Sequence, residues 1–353
     1  MNLRIKKFYQ RLEKEHLDGF LVSSPANITY LTHYPSRDSY LIVSKKQNIY
    51  ITDSRYFEEA RSNLKGFIII KQIKDSVFNL IVDCFRQLAL KHVGFEERNL
   101  TFAEYEKIKE KLNPKITLIP THSLIEDLRM VKDKNELDKI KKAIHITSLA
   151  FDFIYNLNLV GKSEIEIVAE LQHFIRYNGA DSHAFDIIVA SGPNSSFPHH
   201  ISSHKKIKKG EIVLIDMGVD YMGYKSDLTR VFFSDKITSF ERNIYKIVLD
   251  SQRRAIDKIK TGILINKIDK VARQYITYRG YGGFFSHNLG HGIGLEVHEQ
   301  PHISKSEEGE LIEGMVFTVE PGIYLPGRFG IRIEDMVLVT KKGSEVLSGA
   351  LHK

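Results

Sequence analysis

The sequence contains no tryptophan and a single cysteine, Cys84. A lone thiol closes no disulfide within the chain, so a buried core has to hold the fold, and a reducing compartment is the expected setting. Cys84 lies in the apolar run Ile81-Val82-Asp83-Cys84-Phe85, with no histidine near it in sequence. It reads as a core thiol and not as a nucleophile. Long apolar runs are missing as well. Phe67-Ile68-Ile69-Ile70 is among the longest aliphatic stretches, far short of the roughly 20 residues that cross a bilayer as a helix. The opening stretch MNLRIKKFYQRLEKEH is basic but lacks the apolar segment of a secretory leader. The expectation is a soluble cytoplasmic protein with no membrane partner.

Charge of one sign is not gathered anywhere. The formal charge is +7, yet the basic residues are spread along the chain. The densest cluster, Lys205-Lys206-Ile207-Lys208-Lys209-Gly210, precedes a strand pattern and reads as a solvated turn. A nucleic-acid partner would need a basic face or aromatic interleaving, and neither is present. Two catalytic signatures are also missing: G-x-S-x-G, and G-x-G-x-x-G after a strand.

What is present is an ordinary globular composition, 42% apolar and 27% charged, over 353 residues. That length fits two domains. Residues 1–123 alternate strand and helix patterns, with short runs at Gly19–Val22, Tyr40–Val43 and Ile49–Thr52 and a helical pattern over Val77–Leu90. Thr101-Phe102-Ala103-Glu104 is a capping box. A small α/β domain is expected there, followed by a second domain over 124–353.

That second region opens with a long helix whose stripe is Leu137, Ile140, Ile144 and Phe151. Another helix runs from the capping box Ser163–Glu166 to the stop Asn178-Gly179. A strand is expected over Phe185–Val189 and a hairpin over Glu211–Phe233. Then the order returns. Thr238–Glu241 caps a helix ending near Gly262, and a shorter helix covers Asn266–Arg279. Strands are expected at Gly294–Val297, Val316–Glu320 and Gly330–Val339. This repeat of element order points to two similar halves with a site between them.

Four elements carry chemistry. In Ile212-Val213-Leu214-Ile215-Asp216-Met217-Gly218 an aspartate closes an apolar strand, and Asp227 follows before Leu228-Thr229-Arg230. With a turn centred near Tyr221-Met222 the two aspartates lie opposite each other, ~5 Å apart at Cβ. Two such charges repel unless a cation sits between them. The run from Phe285 to Glu299 holds His287, His291 and His298 among Gly290, Gly292 and Gly294. The glycines argue against a helix and let backbone approach a ligand closely. Phe317-Thr318-Val319-Glu320-Pro321-Gly322 and Gly330-Ile331-Arg332-Ile333-Glu334-Asp335 each set a glutamate in an apolar strand. Buried acids are paired or bind metal. By strand alternation Arg332 shares a face with Glu334, so a plain surface ion pair is the competing reading there. Two aspartates, two glutamates and a histidine make a hard, oxygen-rich set suited to Mn, Co, Fe or Zn at two adjacent positions.

These runs resemble the Xaa-Pro aminopeptidase and prolidase branch of the pita-bread metallopeptidases, over essentially the whole chain. The resemblance is carried by Asp216 in IDMG, Asp227 in SDLTR, His291 in GHGIGLEVHE, Glu320 in TVEPG and Glu334 in RIED, and less specifically by SPANITYLT and TDSRY. It implies an α/β (α+β) architecture, a creatinase-like N-terminal domain before a pita-bread catalytic domain of two pseudo-twofold halves. It implies two divalent metal ions per chain, Mn or Co before Zn or Fe. Asp216 would chelate one ion, His291 and Glu320 the other, with Asp227 and Glu334 bridging both.

The resemblance also assigns Glu320, His298 and His199 to catalysis. It places His287, Tyr324 and Arg332 in substrate binding or in support of the ligands. Phe197, Tyr324 and the Ile293 region are candidates for a proline pocket. The activity implied is cleavage between an N-terminal residue and proline in proline-containing peptides, by a homodimer. Strict prolidase, which takes only dipeptides, is the nearest alternative. Methionine aminopeptidase, creatinase-type hydrolases and non-catalytic modules of the same fold match the N-terminal domain or the intact ligand set less well. Gln300-Pro301-His302 departs mildly from the family pattern.

Overall fold

The computed structural model describes residues 2–72 and 76–353. The chain forms two compact units, Met1–Arg129 and Met130–Lys353.

The first unit is built on six strands: β1 (Gly19–Val22), β2 (Ser39–Ser44), β3 (Ile49–Thr52), β4 (Ile68–Lys71), β5 (His92–Glu96) and β6 (Thr117–Thr121), in the order β4-β3-β2-β1-β5-β6. The β1–β2 and β2–β3 pairs are antiparallel; the rest are parallel. Its helices are α1 (Leu3–Lys14), α2 (Pro25–Thr32), α3 (Phe57–Asn63), α4 (Val77–Gln87), α5 (Phe102–Lys109) and α6 (Glu126–Met130), the last closing at the unit boundary. The apolar stripe of α4, Ile81, Val82, Cys84 and Phe85, packs on Leu21, Ile42, Ile51 and Val93 of the sheet. Burial pushes the Cys84 thiol up to about 11, which keeps it protonated and inert. Thr101 and Glu104 close the expected capping box on α5.

The second unit repeats a helix pair followed by a sheet. First come α7 (Lys134–Tyr155) and α8 (Glu164–Tyr177), each opened by a capping box, at Asp133 and Ser163. After β7 (Ser182–His183) come β8 (Ile188–Ser191), β9 (Ile212–Met217), β10 (Val219–Tyr221), β11 (Tyr224–Lys225) and β12 (Leu228–Phe233). Strands β12, β9 and β8 form one sheet. Then α9 (Ser239–Ile256), capped by Thr238, and α10 (Ile265–Tyr278) precede β13 (Gly290–Gly292), β14 (Glu299–Ile303), β15 (Val316–Val319), β16 (Gly322–Leu325), β17 (Phe329–Arg332), β18 (Asp335–Val339) and β19 (Ser344–Val346). Strands β14-β13-β15-β18-β19 make a second sheet, and β16 pairs with β17. The apolar faces of α9 and α10, with Ile244, Val248, Ile268 and Ile276, pack on Phe317, Val319, Ile331 and Val337.

Several strand expectations shift. The strand expected at Phe185–Val189 is β8, begun later at Ile188. Gly294–Val297 is a turn between β13 and β14, closed by the Gly294 amide donating to the Glu296 carbonyl. Gly330–Val339 divides at Ile333-Glu334 into β17 and β18. There the backbone finds partners off the ladder: the Ile333 amide donates to Pro321, the Glu334 amide to Thr229, and Gln252 Nε2 donates to the Ile333 carbonyl. A break of this kind leaves no backbone group orphaned.

The hairpin register also moves. Asp216 lies opposite Thr229, not Asp227. The turn centres on Met222 and Gly223, both at positive φ (51° and 84°), with Tyr221 paired to Tyr224. A two-residue hairpin turn of that hand needs positive φ at both central positions, and Gly223 supplies one of them freely. Moving the turn centre by one residue moves cross-strand opposition by two, which preserves the face. Asp216 and Asp227 are therefore diagonal neighbours on one side of the hairpin.

Candidate metal centre

Each acidic ligand candidate sits near where a strand of the second unit ends or breaks, and His291 sits where the pairing of β13 with β14 shifts register. Asp216 is near the end of β9, Asp227 just before β12, His291 in β13, Glu320 just after β15, and Glu334 in the break between β17 and β18. Asp216 and His291 are 9% exposed, Asp227 5% and Glu334 1%. Asp227, His291 and Glu334 offer ligand atoms that all lie within 4.8 Å of one another. His291 Nε2 is 3.6 Å from Asp227 Oδ2 and 3.4 Å from Glu320 Oε1. Asp216 faces the same cluster, since its charge raises the pKa of Asp227, Glu320 and Glu334 alike.

The surface-pair reading of Arg332 and Glu334 fails. Both are buried, and Arg332 Nη2 donates to Asp216 Oδ2 at 2.6 Å. Glu334 instead accepts from the Thr229 hydroxyl at 2.7 Å, and Arg332 Nε donates to that hydroxyl at 3.0 Å. The other half of the unit repeats the device. The Thr318 hydroxyl takes the His291 amide at 3.1 Å and donates to Glu320 Oε1 at 3.2 Å. Sequence reasoning missed both threonines. Their signal is a threonine two positions from an acid, Asp227-Leu228-Thr229 and Thr318-Val319-Glu320, which puts both side chains on one face of the strand. Gln252 was also missed: its Nε2 bridges the carbonyls of Val319 and Ile333, holding the chain beside Glu320 and Glu334 together.

The glycines serve packing and not ligand approach. A Cβ on Gly290 would lie 1.9 Å from the Thr318 carbonyl oxygen, and one on Gly218 1.8 Å from that of Ser226. The strands carrying His291 and Asp216 can close on their neighbours only without those atoms.

Electrostatics says what the cluster lacks. Burial is the largest cause at Asp227, Glu320 and Glu334. It pushes Asp227 well above the ordinary carboxylate range, with repulsion from Glu334, Asp216 and Glu320 added. Glu334 is also held well above, by burial and then by Glu320 and Asp216. Burial takes Glu320 up to about 8 against the pull of Arg332. His291 is driven down to about 3, first by burial, so its ring is neutral. Its Nδ1 lies 3.2 Å from the Gly292 carbonyl, which favours a proton there and leaves the Nε2 lone pair facing the carboxylates. Asp216 Oδ1 and Asp227 Oδ1 are buried without a hydrogen-bond partner. Buried orphan oxygens on repelling acids, beside a neutral imidazole nitrogen, fit a divalent cation.

Around the cluster, Arg332 Nη1 donates to the Tyr324 hydroxyl at 2.8 Å, and that hydroxyl lies 2.9 Å from His287 Nε2. His287 Nδ1 is 2.7 Å from the Asn288 carbonyl. Burial, then Arg332, takes His287 down to about 4, so the ring is neutral and Nε2 accepts from the tyrosine. His298 is exposed, with its ring centroid 4.2 Å from that of His291. His199 is exposed on the segment after β8, and its charge weighs on both His287 and His298. Of the pocket candidates, Phe197 is 61% exposed and Tyr324 6%. Ile293 is fully buried in the core.

Residues 138–341 match metallopeptidase family M24, and residues 4–131 match the creatinase/prolidase N-terminal domain. A Xaa-Pro dipeptidase of Pyrococcus furiosus is 36% identical, with 99% of this chain and 98% of that protein aligned. Among solved structures, a Xaa-Pro dipeptidase from Bacillus anthracis superposes with a TM-score of 0.94 at 38% identity, over 98% of this chain and 96% of the other. An X-Pro aminopeptidase from Thermotoga maritima gives 0.88 at 36% identity, over 96% and 97%. The α/β unit is thus creatinase-like, and the second unit is a pita-bread domain.

Proposed function

The chain belongs to metallopeptidase family M24, and from that membership we propose that it is a Xaa-Pro dipeptidase, hydrolysing the bond before proline with divalent metal ions. The observation that carries this is the convergence of Asp216, Asp227, His291, Glu320 and Glu334 on one buried cluster with two orphan carboxylate oxygens. Cleavage of longer Xaa-Pro peptides was the first reading of the sequence. It shares the scissile bond, but two of the three relatives described are named dipeptidases, which favours the dipeptide reading.

In this proposal the five residues hold two ions, Mn or Co. When bound, such ions supply Lewis acidity that polarises a carbonyl and acidifies a water. The chain's own groups do the rest. Glu320 takes the proton of the attacking water and passes it to the leaving proline nitrogen. His298, exposed beside His291, donates toward the developing oxyanion. His199 and Phe197 meet the substrate from the segment after β8. Tyr324 and His287 hold Arg332, and Arg332 holds Asp216. A homodimer in the cytoplasm, with proline-containing peptides as its only partners, completes the proposal; sedimentation tests the assembly.

The experiment is a matched set of substrates. Chelated protein should be inactive on Ala-Pro and recover with Mn or Co. The restored enzyme should cleave Ala-Pro well and Ala-Pro-Gly poorly. Equal or better cleavage of the tripeptide would return the reading to an aminopeptidase, and no cleavage of either would remove the Xaa-Pro assignment.

A further inference from the structure

Outside the metal cluster, one buried carboxylate gathers more hydrogen bonds than the helix it opens requires. Glu164 is the first residue of α8 and has no exposed surface. Its Oε1 accepts from the Ser191 amide (2.8 Å), the Ser191 hydroxyl (2.8 Å) and Asn194 Nδ2 (3.0 Å). Its Oε2 accepts from the Ser203 amide (3.0 Å) and hydroxyl (2.7 Å), lies 3.2 Å from Asn194 Nδ2, and is 2.9 Å from His200 Nε2. Burial alone would raise its pKa; the bonds from His200, Ser203 and Ser191 outweigh that and hold it at about 2. It stays an acceptor throughout the working range of an enzyme.

All those donors belong to residues 191–203, the segment that carries Phe197, Pro198 and His199. The inner side of that segment is tied down. Arg332 Nη1 donates to the Pro198 carbonyl at 3.3 Å, and the Gly330 amide donates to the Ser195 hydroxyl at 2.9 Å. Its outer side is bare: Phe197 is 61% and Ile201 87% exposed, and His199 is exposed between them. A turn closed by the His200 amide donating to the Phe197 carbonyl makes the split: Phe197, His199 and Ile201 stay exposed, while Pro198 is held through its carbonyl and His200 through its ring. A line of contacts therefore runs from Glu164 through His200 and Pro198 to Arg332 and on to Asp216. It fixes the exposed wall relative to the ligand cluster. Glu164 touches none of the five ligand residues in any bond described, so its effect on the site passes through the wall.

We propose that Glu164 is a positioning residue for substrate, clamping the 191–203 wall so that His199 and Phe197 face the scissile bond. This rests on the Xaa-Pro reading for the identity of the substrate, and not for the clamp itself. A Glu164→Gln replacement keeps the size but offers one acceptor oxygen and an NH2 that faces donors, so several of the wall's bonds are lost. Ser203→Ala removes one of the bonds to Glu164, together with the bond its hydroxyl accepts from the Lys205 amide, and serves as the milder variant should the first fold poorly.

Two readouts decide the matter. Hydrogen exchange of the metal-loaded protein should accelerate over 191–203 and remain unchanged over β9 and β15. KM for Ala-Pro should rise on the order of 10-fold in Glu164→Gln and less in Ser203→Ala, with kcat within about threefold and metal content unchanged. Unchanged exchange over 191–203 overturns the clamp. Faster exchange with unaltered KM overturns the role in substrate positioning, as does a loss of activity that merely tracks lost metal. Absence of Ala-Pro cleavage by the unmodified enzyme would sink the Xaa-Pro reading instead, and the exchange measurement would still decide the clamp.

Discussion

Removing the metal and raising the pH from 7 to 9 should destabilise the protein, while the metal-loaded form should hardly respond. The cause lies in the ligand carboxylates. Burial takes Glu320 up to about 8 in the metal-free fold, against an ordinary 4.5. A group with a raised folded pKa binds its proton more tightly when folded. The stability it contributes is complete below the unfolded value and is lost as pH climbs through the folded one. Between pH 7 and 9 Glu320 alone gives up about 1.4 kcal/mol. Asp227 and Glu334, raised by burial and by their neighbours' charges, act in the same direction.

Histidines oppose this weakly. His287, His291 and His298 are held low, chiefly by burial. Their contribution is complete only above the ordinary value of 6.5, so over this window each returns at most about 0.2 kcal/mol. The carboxylates win. With no tryptophan in the chain, urea unfolding is best followed by far-UV circular dichroism, at pH 7 and pH 9, with chelator or with saturating Mn. A chelated protein as stable at pH 9 as at pH 7 would refute the reasoning, and so would an equal loss in the metal-loaded form.

Glu320→Gln should lower kcat on Ala-Pro by about 10²- to 10⁴-fold at saturating Mn; full activity would take Glu320 out of proton transfer. Gly218→Ala forces a Cβ against the Ser226 carbonyl, so it should cost about 1–3 kcal/mol in urea unfolding and weaken metal retention in dialysis. Arg332→Ala leaves Asp216 buried without its partner and should cost the chelated protein about 3–5 kcal/mol. Arg332→Lys should recover only part of that, because an ammonium cannot serve Asp216, Thr229 and Tyr324 at once.

Much of this was legible in the sequence because its signals are local. Ser163 and Glu166, or Thr238 and Glu241, satisfy one another across three residues, and the helices start where those pairs stand. An acid that closes an apolar strand betrays a buried charge before any fold is known, and so Asp216, Glu320 and Glu334 could be named. The register of the hairpin was not legible to the residue. It depends on which two positions take positive φ, and Met222 gives no hint that it does so. The break at Ile333-Glu334 depends on Gln252 and Pro321, far along the chain. Glu164 hid behind a second explanation: an acid in the first turn of a helix is favourable on dipole grounds alone, so nothing local marks it as the acceptor for four residues beyond it.

The charge arithmetic of the cluster argues for two ions over one. Asp216, Asp227, Glu320 and Glu334 are four carboxylates, and the guanidinium of Arg332 is the cation in contact with them, through Asp216. His291 and His287 are neutral and add nothing. Fully ionised, the acids therefore outnumber the positive charge by three, and the metal-free fold answers by favouring protons on Asp227, Glu320 and Glu334, whose pKa values are raised. One divalent ion would leave a negative charge buried, whose cost in a low-dielectric interior is several kcal/mol. Two divalent ions supply four charges, enough to ionise every acid with one to spare for an anionic group of the reaction. The fold that positions these side chains is stable elsewhere, in the apolar contacts of α9 and α10 with the sheet behind them, and so it can carry a site that repels itself until it is filled.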